Sequence, residues 1–234
     1  MADKTDNYPK SIGIIMDGNR RWAKARGFLP MKGHEAGYEK FKEFIRWAKG
    51  FGIETVYVYA FSTENWKRQE NEVDYLMSLF TRVIGADAKE LIGERVRVKF
   101  VGQLDKFSPA IRLGIKALER ATSKFAGTTL VVCVSYGGRA EIISAVKEMA
   151  KKEGAKNIAK LDEKTFSKYL WTAGSPDPEL IIRTSGEVRT SNFLPWQAVY
   201  SEWFFTKTLW PAFTRREFES ILRDFAKREV RRGK

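Results

Sequence analysis

The chain has 234 residues, 43% of them hydrophobic and 13% aromatic, enough to bury the core of one domain but not of two. Its one cysteine, Cys133, lies in an apolar run and is predicted to be a buried, inert thiol, so a disulfide and a cysteine-cluster metal site are excluded. No apolar run approaches the roughly 20 residues that span a bilayer. The net charge of +13 predicts an anionic partner, which leaves nucleic acid, an anionic membrane surface and phosphorylated metabolites open.

Strand and helix patterns alternate along the whole chain. Apolar, β-branched runs predict strands at 12–16, 55–61, 96–101, 128–135 and 180–183, with a short apolar segment at 203–206. Helical periodicity predicts helices at 35–49, 71–92, 109–124, 140–152 and 163–171, and a last helix from about residue 215. This rhythm indicates an α/β fold, a single domain with a mainly parallel sheet of about six strands flanked by helices.

The ends of the chain differ in composition from this domain. Residues 1–10 form a polar N-terminal tail without a signal-peptide core, so we expect a cytoplasmic protein. Residues 11–230 are assigned to the single catalytic domain, and residues 231–234 to a basic C-terminal tail that suits anionic lipid headgroups.

Four polar clusters each stand directly after a predicted strand: residues 17–22, 62–66, 136–139 and 183–192. Because ligands of open parallel sheets bind beyond the carboxyl ends of the strands, we expect the clusters to converge at one edge. The last cluster holds Arg183 and Arg189 among hydroxyls and a glycine, a composition that binds phosphate oxygens. The alternative for that cluster is a solvated loop whose arginines balance Glu187. Together the clusters predict an anion site.

Single residues in these clusters allow a structural as well as a chemical interpretation. Asp17 is suited to bind a metal or to act as a base, or else to cap a helix that begins near Asn19, which could itself be the cap. The free N–H groups of such a helix would cradle phosphate. His34, the only histidine, is either a packing or capping residue or a hydrogen-bond partner of an anion. Glu202, taken alone, is typical of a surface residue.

The chain lacks the short motifs of several large enzyme classes. There is no GxxxxGK[ST] loop, no GxGxxG after a strand and no GxSxG elbow, so nucleotide binding and serine-hydrolase chemistry are not favoured. Many arginines without a strong nucleophile suit a reaction whose leaving group is a phosphate ester anion. Arginine and Mg²⁺ would then stabilise the leaving group electrostatically.

Five segments, in their order and spacing, resemble one known family, the cis-prenyltransferases. The segments are IMDGNRRWA (15–23), GHEAG (33–37), YAFSTENW (59–66), YGGR (136–139) and RTSGEVR (183–189). The family is typified by undecaprenyl and dehydrodolichyl diphosphate synthases, and the resemblance runs from about residue 12 to residue 232. It implies a Mg²⁺-dependent enzyme that condenses isopentenyl diphosphate successively onto an allylic diphosphate such as farnesyl or geranylgeranyl diphosphate. The product would be a long-chain Z-polyprenyl diphosphate for a glycosyl carrier lipid.

The resemblance also implies roles for individual residues. Asp17 matches a catalytic aspartate that holds Mg²⁺, Glu202 a second carboxylate of the metal and dimer region, and Asn65 a catalytic residue near the step of proton loss. Substrate binding is implied for thirteen residues: Gly18, Asn19, Arg20, Arg21, Trp22, His34, Ser62, Asn65, Trp66, Arg68, Arg183, Arg189 and Ser191. Of these, the first motif and His34 surround the allylic diphosphate, whereas Arg183, Arg189 and Ser191 form the pocket for isopentenyl diphosphate.

Two positions depart from the family pattern: a mild departure at Pro195, where leucine is common, and one at Pro30 that concerns the substrate site. Many members carry an arginine for the allylic diphosphate where this chain has Pro30, and either Lys32 or Arg26 is a candidate to supply the missing charge. The family also uses the helix predicted at 71–92 to line a hydrophobic tunnel for the growing chain. Ordinary core packing is the alternative use of that apolar surface.

The resemblance further implies a homodimer and a peripheral contact with the membrane during product release. The first alternative function is a noncatalytic partner subunit of a cis-prenyltransferase, but such subunits typically lack the aspartate of the first motif, and Asp17 is present. The second is a basic nucleic-acid-binding module, which the absence of a DNA or RNA motif disfavours. We therefore expect no nucleic-acid partner.

Overall fold

Six parallel strands form one sheet in the order β3-β4-β2-β1-β5-β6 within residues 7–158 and 161–228, the part that the computed structural model describes. The predicted tail at 231–234 lies outside the described residues. The strands are β1 (Ser11–Ile15), β2 (Thr55–Ser62), β3 (Arg97–Val101), β4 (Thr129–Tyr136), β5 (Leu180–Arg183) and β6 (Glu202–Phe205). All five pairings are parallel, so every carboxyl end lies at the same edge.

Helices cover both faces of the sheet, as the alternating rhythm predicts. Those of the described residues are α1 (Asn19–Lys24), α2 (Pro30–Gly50), α3 (Glu70–Ile84), α4 (Ala88–Gly93), α5 (Pro109–Thr122), α6 (Gly138–Ile158), α7 (Glu163–Ser167) and α8 (Arg215–Ala226). Short 3-10 turns lie at Thr63–Lys67, Leu104–Lys106 and Trp210–Ala212. The predicted α/β class and the parallel sheet of about six strands are confirmed.

The structure corrects several predicted element boundaries. The long helix predicted at 71–92 is two helices, α3 and α4, because the chain leaves helical geometry at Gly85 (φ −111°, ψ −96°). Helix α2 begins at Pro30 rather than at residue 35, since the fixed φ of proline suits the first turn of a helix. The short apolar segment predicted at 203–206 forms strand β6. The helix predicted at 163–171 is α7, which ends at Ser167. The helix predicted at 140–152 is α6, and Gly154 (φ +70°, ψ 164°) interrupts its helical geometry just after the predicted end.

Each face of the sheet buries its own apolar core. On one face, alternate residues such as Ile12, Val56 and Val132 pack with α2, α5 and α8. On the other, Tyr57 and Cys133 pack among side chains that include Phe193 and Leu194. Cys133 is fully buried, which raises the pKa of its thiol and confirms the prediction of an inert cysteine. In the part of the chain described, none of the helices is both long and apolar enough to traverse a bilayer.

Candidate active site

Asp17 and Arg183 meet where two neighbouring strands end. Parallel pairing places Ile15, the last residue of β1, beside Arg183, the last residue of β5. Arg183 donates a 2.8 Å hydrogen bond from Nη2 to Oδ2 of Asp17, and Nη1 donates to Oγ of Ser191 and to the carbonyl of Arg189, both at 2.6 Å. The Arg183 side chain is only 4% exposed. Its guanidinium donates to three oxygens, and these bonds fix its orientation.

This arrangement keeps Asp17 ionised. Burial alone would raise the pKa of Asp17, but the hydrogen bond and charge of Arg183, helped by Ser185 and Arg21, outweigh it and hold the pKa below its ordinary value. The hydroxyl of Thr184 fixes the backbone of Asp17, because it accepts from the amide N–H at 2.9 Å and donates to the carbonyl at 2.7 Å. The carboxylate is 31% exposed and faces the cavities described below.

Arg21 ties the first motif to the loop after β5. It donates from Nη1 to the carbonyl of Ser185 at 3.1 Å and from Nη2 to the Ser185 hydroxyl at 2.5 Å. It also lies 3.3 Å from Glu187, whose other oxygen pairs with Arg189. The Arg189 side chain is exposed in this ion pair, as expected for a solvated loop whose arginines balance Glu187. It does not line the cavities around Asp17.

A buried glutamate, Glu72 on α3, joins three residues that were predicted to bind substrate. His34 Nε2 and Glu72 Oε1 are 3.1 Å apart, Arg68 donates to the same oxygen at 2.9 Å, and Arg20 lies 3.7 Å from Oε2. A carboxylate only accepts, so Nε2 of His34 carries the proton. No sequence pattern predicted the burial of Glu72, because an arginine four residues before a glutamate normally indicates an exposed helix pair.

The segment after β2 is shaped by a capping box. Asn65 Oδ1 accepts from the backbone N–H of Ser62 at 2.9 Å, and the Ser62 side chain accepts from the backbone of Asn65. Both residues line a cavity with Arg183. Trp66 does not line it, because its ring packs edge-on against Phe61 and its Nε1 donates to Ser135 at 2.9 Å.

Two polar cavities adjoin at Asp17. One, of about 560 Å³, is lined by residues 16–21 of the first motif together with Lys24, Phe28 and Pro30, whereas Trp22 lines neither cavity. The other, of about 550 Å³, is lined by Arg183, Ser191, Ser62, Asn65 and neighbouring side chains. The residues common to both are Met16, Asp17, Asn19, His34 and Arg68. The structure therefore places residues from three of the four predicted clusters around one divided cleft. The fourth cluster, at 136–139, follows β4 at the same edge of the sheet but lines neither cavity.

An apolar cavity of about 130 Å³ leads away from the cleft. It shares Met16, Asn19 and His34 with both polar cavities and extends to Leu130 and Val98 near the amino ends of β4 and β3. Side chains of α2, α3 and the sheet form its walls, including Phe41, Leu76, Leu79, Phe80, Val83 and Phe107. The cavity runs along the height of the sheet beneath α3.

Two glycines, Gly33 and Gly18, shape the backbone around Asn19 at this junction. A Cβ on Gly33 would lie 2.1 Å from the Asn19 carbonyl oxygen, so only glycine lets α2 approach α1 this closely. Gly18 has φ +107°, a conformation that side chains rarely adopt, and this turn starts α1 directly after Asp17. The Asn19 Oδ1 atom is buried without a hydrogen-bond partner and lies against Gly37, where an added Cβ would be 2.4 Å from it.

Neither Lys32 nor Arg26 supplies the positive charge that the family arginine would provide at the position of Pro30. Lys32 is exposed and pairs with Glu35 at 2.8 Å, while the Arg26 guanidinium lies over the Trp22 ring at 4.3 Å. Neither residue lines the cavity that contains Pro30, whereas Lys24 does. A basic residue in the last turn of a helix is also common on solvated surfaces, and so the sequence did not single out Lys24.

Comparisons with known proteins agree with this geometry. A family model described as "Putative undecaprenyl diphosphate synthase" matches residues 15–233. The chain is 44% identical to an isoprenyl transferase of Thermotoga maritima, covering 96% of this chain and 97% of that protein. It is 42% identical to a tritrans,polycis-undecaprenyl-diphosphate synthase (geranylgeranyl-diphosphate specific) of Pyrococcus abyssi, covering 99% and 89%.

Solved structures give the same result. The crystal structure of lavandulyl diphosphate synthase from Lavandula x intermedia in complex with dimethylallyl diphosphate superposes with a TM-score of 0.91 at 32% identity, covering 96% of this chain and 98% of that one. A probable undecaprenyl diphosphate synthase from Campylobacter jejuni gives 0.81 at 30% identity, covering 97% and 99%.

The chain belongs to the undecaprenyl diphosphate synthase family. It is a cis-prenyltransferase, and the resemblance drawn from the five motifs is confirmed. The alternatives of a noncatalytic subunit and of a nucleic-acid-binding module are not needed to account for the fold or the cleft. The assignment of roles to single residues stays a prediction.

Glu202 of this cis-prenyltransferase lies away from Asp17. It is the first residue of β6 and pairs in register with Leu180, at the amino edge of the sheet, where Arg228 binds its carboxylate. Three residue steps of strand separate that edge from Arg183, about 10 Å at about 3.3 Å per residue. Asp17 and Glu202 of one chain therefore cannot share a metal ion. No cluster of three or more metal-ligating side chains occurs among the described residues.

Proposed function

We propose that this cis-prenyltransferase condenses isopentenyl diphosphate repeatedly onto an allylic diphosphate primer, in the single domain at 11–230. The observation that carries the proposal is the pair of polar cavities that share Asp17 and open onto one apolar cavity. The two polar cavities offer one place for each diphosphate, and the apolar cavity beneath α3 is where the hydrocarbon chain would enter. The Z-polyprenyl diphosphate so formed would serve as a glycosyl carrier lipid.

The allylic diphosphate is assigned to the cavity that contains Arg20, Arg21 and Lys24, and isopentenyl diphosphate to the cavity of Arg183 and Ser191. In each cycle the C–O bond of the allylic diphosphate breaks and inorganic diphosphate leaves. A C–C bond then forms between the two substrates, and a proton is lost from the isopentenyl unit. Cationic donors fixed around the leaving group stabilise the charge that develops there. Asn65, held by its capping bond, lies in the cavity where the proton is lost.

Asp17 fits Mg²⁺. This ion is usually held by one or two carboxylates together with the phosphates of the substrate, and Asp17 is a partly exposed, ionised carboxylate between the two diphosphate cavities. Bound there, Mg²⁺ would neutralise charge on the departing diphosphate. Arg183 holds one oxygen of Asp17 and leaves Oδ1 directed to the cleft, where the nearest cation is Arg21 at 3.6 Å.

A homodimer would explain the family match at Glu202, because only a second copy could bring a Glu202 carboxylate towards Asp17. Two features support an interface along β6. Strand β6 pairs only with β5 among the described residues, so one edge is open. Large apolar side chains beside it are exposed, namely Val199, Tyr200 and Phe205. An unpaired strand edge of this kind is normally covered.

Membrane contact during release is supported by charge and by exposed apolar groups. Phe28 and Leu29 are more than half exposed at the rim of the allylic cavity, and the chain carries a net charge of +13. Burial of each five-carbon unit stabilises the bound polyprenyl chain by about 3–4 kcal/mol, so release of a long chain into water is slow. An anionic lipid surface would accept both the product and the basic rim.

The decisive experiment offers labelled isopentenyl diphosphate with C10, C15 and C20 allylic primers and separates the products by thin-layer chromatography. A ladder of products longer than the primer by several units supports the proposal, and excess chelator should abolish it. A single condensation product from every primer would contradict repeated elongation. No turnover from the pure protein with any primer would instead indicate the noncatalytic subunit.

A further inference from the structure

A third polar cavity lies at the edge of the sheet opposite Asp17. It has a volume of about 700 Å³ and is lined by Thr55, Arg97 and Thr129, the first residues of β2, β3 and β4. Helix α5 and the segment 173–176 form its sides. We call it the basic cavity. The reaction proposed above uses none of its residues.

Positive charge dominates this cavity. Its ionisable side chains are one carboxylate, Glu119, and four cations: Arg97, Lys99, Lys116 and Arg120. Within the described part of the chain, no carboxylate oxygen lies within 4.0 Å of a side-chain nitrogen of these four cations. Other basic side chains on this protein are paired, such as Arg46 with a glutamate at 2.7 Å. The side chains that line the cavity thus carry a formal charge of +3, and the nearby carboxylate of Glu141 acts on Lys99 from outside the lining.

The one carboxylate is already committed to the sheet. Glu119 Oε1 accepts a 2.8 Å hydrogen bond from the backbone N–H of Phe100, on the outer edge of β3. Thr122 Oγ1 likewise accepts from Val98 N–H at 3.0 Å. Both side chains of α5 therefore cap an edge strand, and the role of Glu119 is to satisfy backbone donors rather than to neutralise the cations.

Lys99 shows that the charge is partly withdrawn from water. Its ammonium donates to the carbonyl of Ala173 at 2.7 Å and to Oγ of Ser175 at 3.3 Å, which leaves a third donor for a ligand. Burial lowers the pKa of Lys99, the charge of Glu119 opposes the shift, and that of Arg97 adds to it. A half-buried ammonium beside three more cations is stabilised by an anion.

We propose that the basic cavity binds the phosphoryl group of an anionic ligand. Arg97 and Arg120 present guanidinium forks, which match phosphate oxygens in pairs, and Lys99 and Lys116 add point charges. Phosphoryl groups of this kind come from soluble phosphates or diphosphates, or from the headgroups of anionic phospholipids. The site is separated from Asp17 by the height of the sheet, so it can be tested without touching the catalytic cleft.

The first test uses the wild-type protein and detects soluble phosphate. Lysines are acetylated briefly in sodium phosphate, in sodium diphosphate or in sodium chloride of equal ionic strength, and the rate at each lysine is measured by mass spectrometry. We expect either phosphate anion at several times its Kd to slow labelling of Lys99 and Lys116 about fivefold or more. Lys147 and Lys151, exposed on α6 with the same four-residue spacing as Lys116 and Arg120, should be labelled equally in all salts.

The second test detects lipid. Sedimentation with phosphatidylglycerol or phosphatidylcholine vesicles compares the wild type with the double variants K116A/R120A and K147A/K151A, which lose the same charge from exposed helix positions. If headgroups are the ligand, K116A/R120A should bind phosphatidylglycerol vesicles at least about fivefold more weakly for each cation removed, and K147A/K151A should bind nearly as the wild type. Circular dichroism and prenyl transfer should be unchanged in both variants.

Protection by phosphate with equal vesicle binding of the two variants supports the proposal and assigns a soluble ligand. Selective loss of vesicle binding in K116A/R120A supports it and assigns a lipid headgroup. Absence of both effects, or equal effects at the control lysines, overturns it. A failure here leaves prenyl transfer untouched, because that activity is read separately in the same variants.

Discussion

Arg183 Nη2 and Asp17 Oδ2 form a 2.8 Å ion pair between residues 166 positions apart in the chain. The pair exists because β1 and β5 are parallel neighbours that end side by side. It gives the cleft a buried cation that lines one polar cavity and an ionised carboxylate that lines both. The remaining contacts of the site are arranged around these two groups.

Replacement of Asp17 by Asn keeps the shape of the side chain and removes its charge. Because that charge acts while the leaving group departs, we expect kcat to fall at least about 10²–10³-fold, with a smaller change in KM. Asp17→Ala should be about as damaging to kcat. Initial rates at saturating Mg²⁺ measure this. If Asp17→Asn kept more than about a tenth of wild-type kcat, Asp17 would be a structural cap.

The two Asp17 variants should differ in stability. Asp17→Ala leaves the buried Arg183 without an acceptor, whereas the amide oxygen of Asp17→Asn can still accept its hydrogen bond. Since Asp17 is partly exposed, we expect Asp17→Ala to be roughly 1–2 kcal/mol less stable than Asp17→Asn. Denaturant unfolding of both variants checks this. Equal midpoints would mean that water replaces the carboxylate at no cost.

Lys24 is expected to supply the positive charge that Pro30 does not. It lines the allylic cavity, whereas Lys32 is exposed and paired with Glu35. One charged contact to phosphate contributes about 1–1.5 kcal/mol, so Lys24→Ala should raise the KM of the allylic diphosphate about five- to tenfold. Lys32→Ala is the matched control and should stay within about twofold. Equal effects of the two variants would contradict a specific contact at Lys24.

Product length should respond to the apolar cavity. Leu79 and Val83 on α3 line it, whereas Ile84 on the same helix packs beside Gly114. Leu79→Ala or Val83→Ala removes methyl groups from the wall and should shift the product distribution towards longer chains. Ile84→Ala is a control with comparable lost volume outside the wall. Chromatography of labelled products gives the result, and identical distributions in all three variants would show that the wall is ordinary core.

The stability of the fold should decrease on acidification through His34. Burial lowers the pKa of His34, the charges of Arg68 and Arg20 add to this, and the bond to Glu72 opposes it. The unfolded chain therefore takes up a proton near the ordinary value of 6.5, while the folded chain does so only at lower pH. The contribution of His34 to the free energy of unfolding is present above pH 6.5. It is lost as the pH falls through the pKa of His34 in the folded protein, by up to about 1.4 kcal/mol per pH unit.

Thermal unfolding of wild type and His34→Gln between pH 7.5 and 5 measures this effect. Asp17 and Glu72 also have lowered pKa values and lose their contribution as the pH falls through them, but that occurs below the range of an ordinary carboxyl group. The variant should therefore show a smaller loss of Tm between pH 6.5 and 5 than the wild type. Parallel curves would mean that His34 titrates normally in the folded protein.

The sequence predicted the elements that depend on local pattern and missed those that depend on tertiary contacts. Strand ends follow from apolar runs, and so the position of Arg183 beside Asp17 was foreseeable from the parallel fold. The burial of Glu72 was not, since its partner His34 lies 38 residues away on another helix. Nor was the break at Gly85, because the apolar periodicity of α3 continues into α4. The sequence does not distinguish Lys24 from an ordinary surface lysine, because its position in the cavity wall depends on tertiary contacts.

Glu202 provides the last prediction, since its match to a metal-region carboxylate requires a second copy of the chain. In the proposed dimer, each site combines Asp17 of one copy with Glu202 of the other. Asp17→Asn and Glu202→Gln should each be strongly impaired alone. Coexpression of the two variants then yields mixed dimers in which one site carries both substitutions and the other carries neither.

Because random pairing makes half of the dimers mixed, with one intact site each, the coexpressed sample should recover about a quarter of wild-type activity. Subunits carrying different affinity tags allow the mixed dimer to be purified, and it should then show about half of wild-type activity. If both carboxylates acted within one chain, every site of the mixed dimer would carry one substitution, and no activity would return. The structure argues against that outcome, because Asp17 and Glu202 of a single chain lie at opposite edges of the sheet.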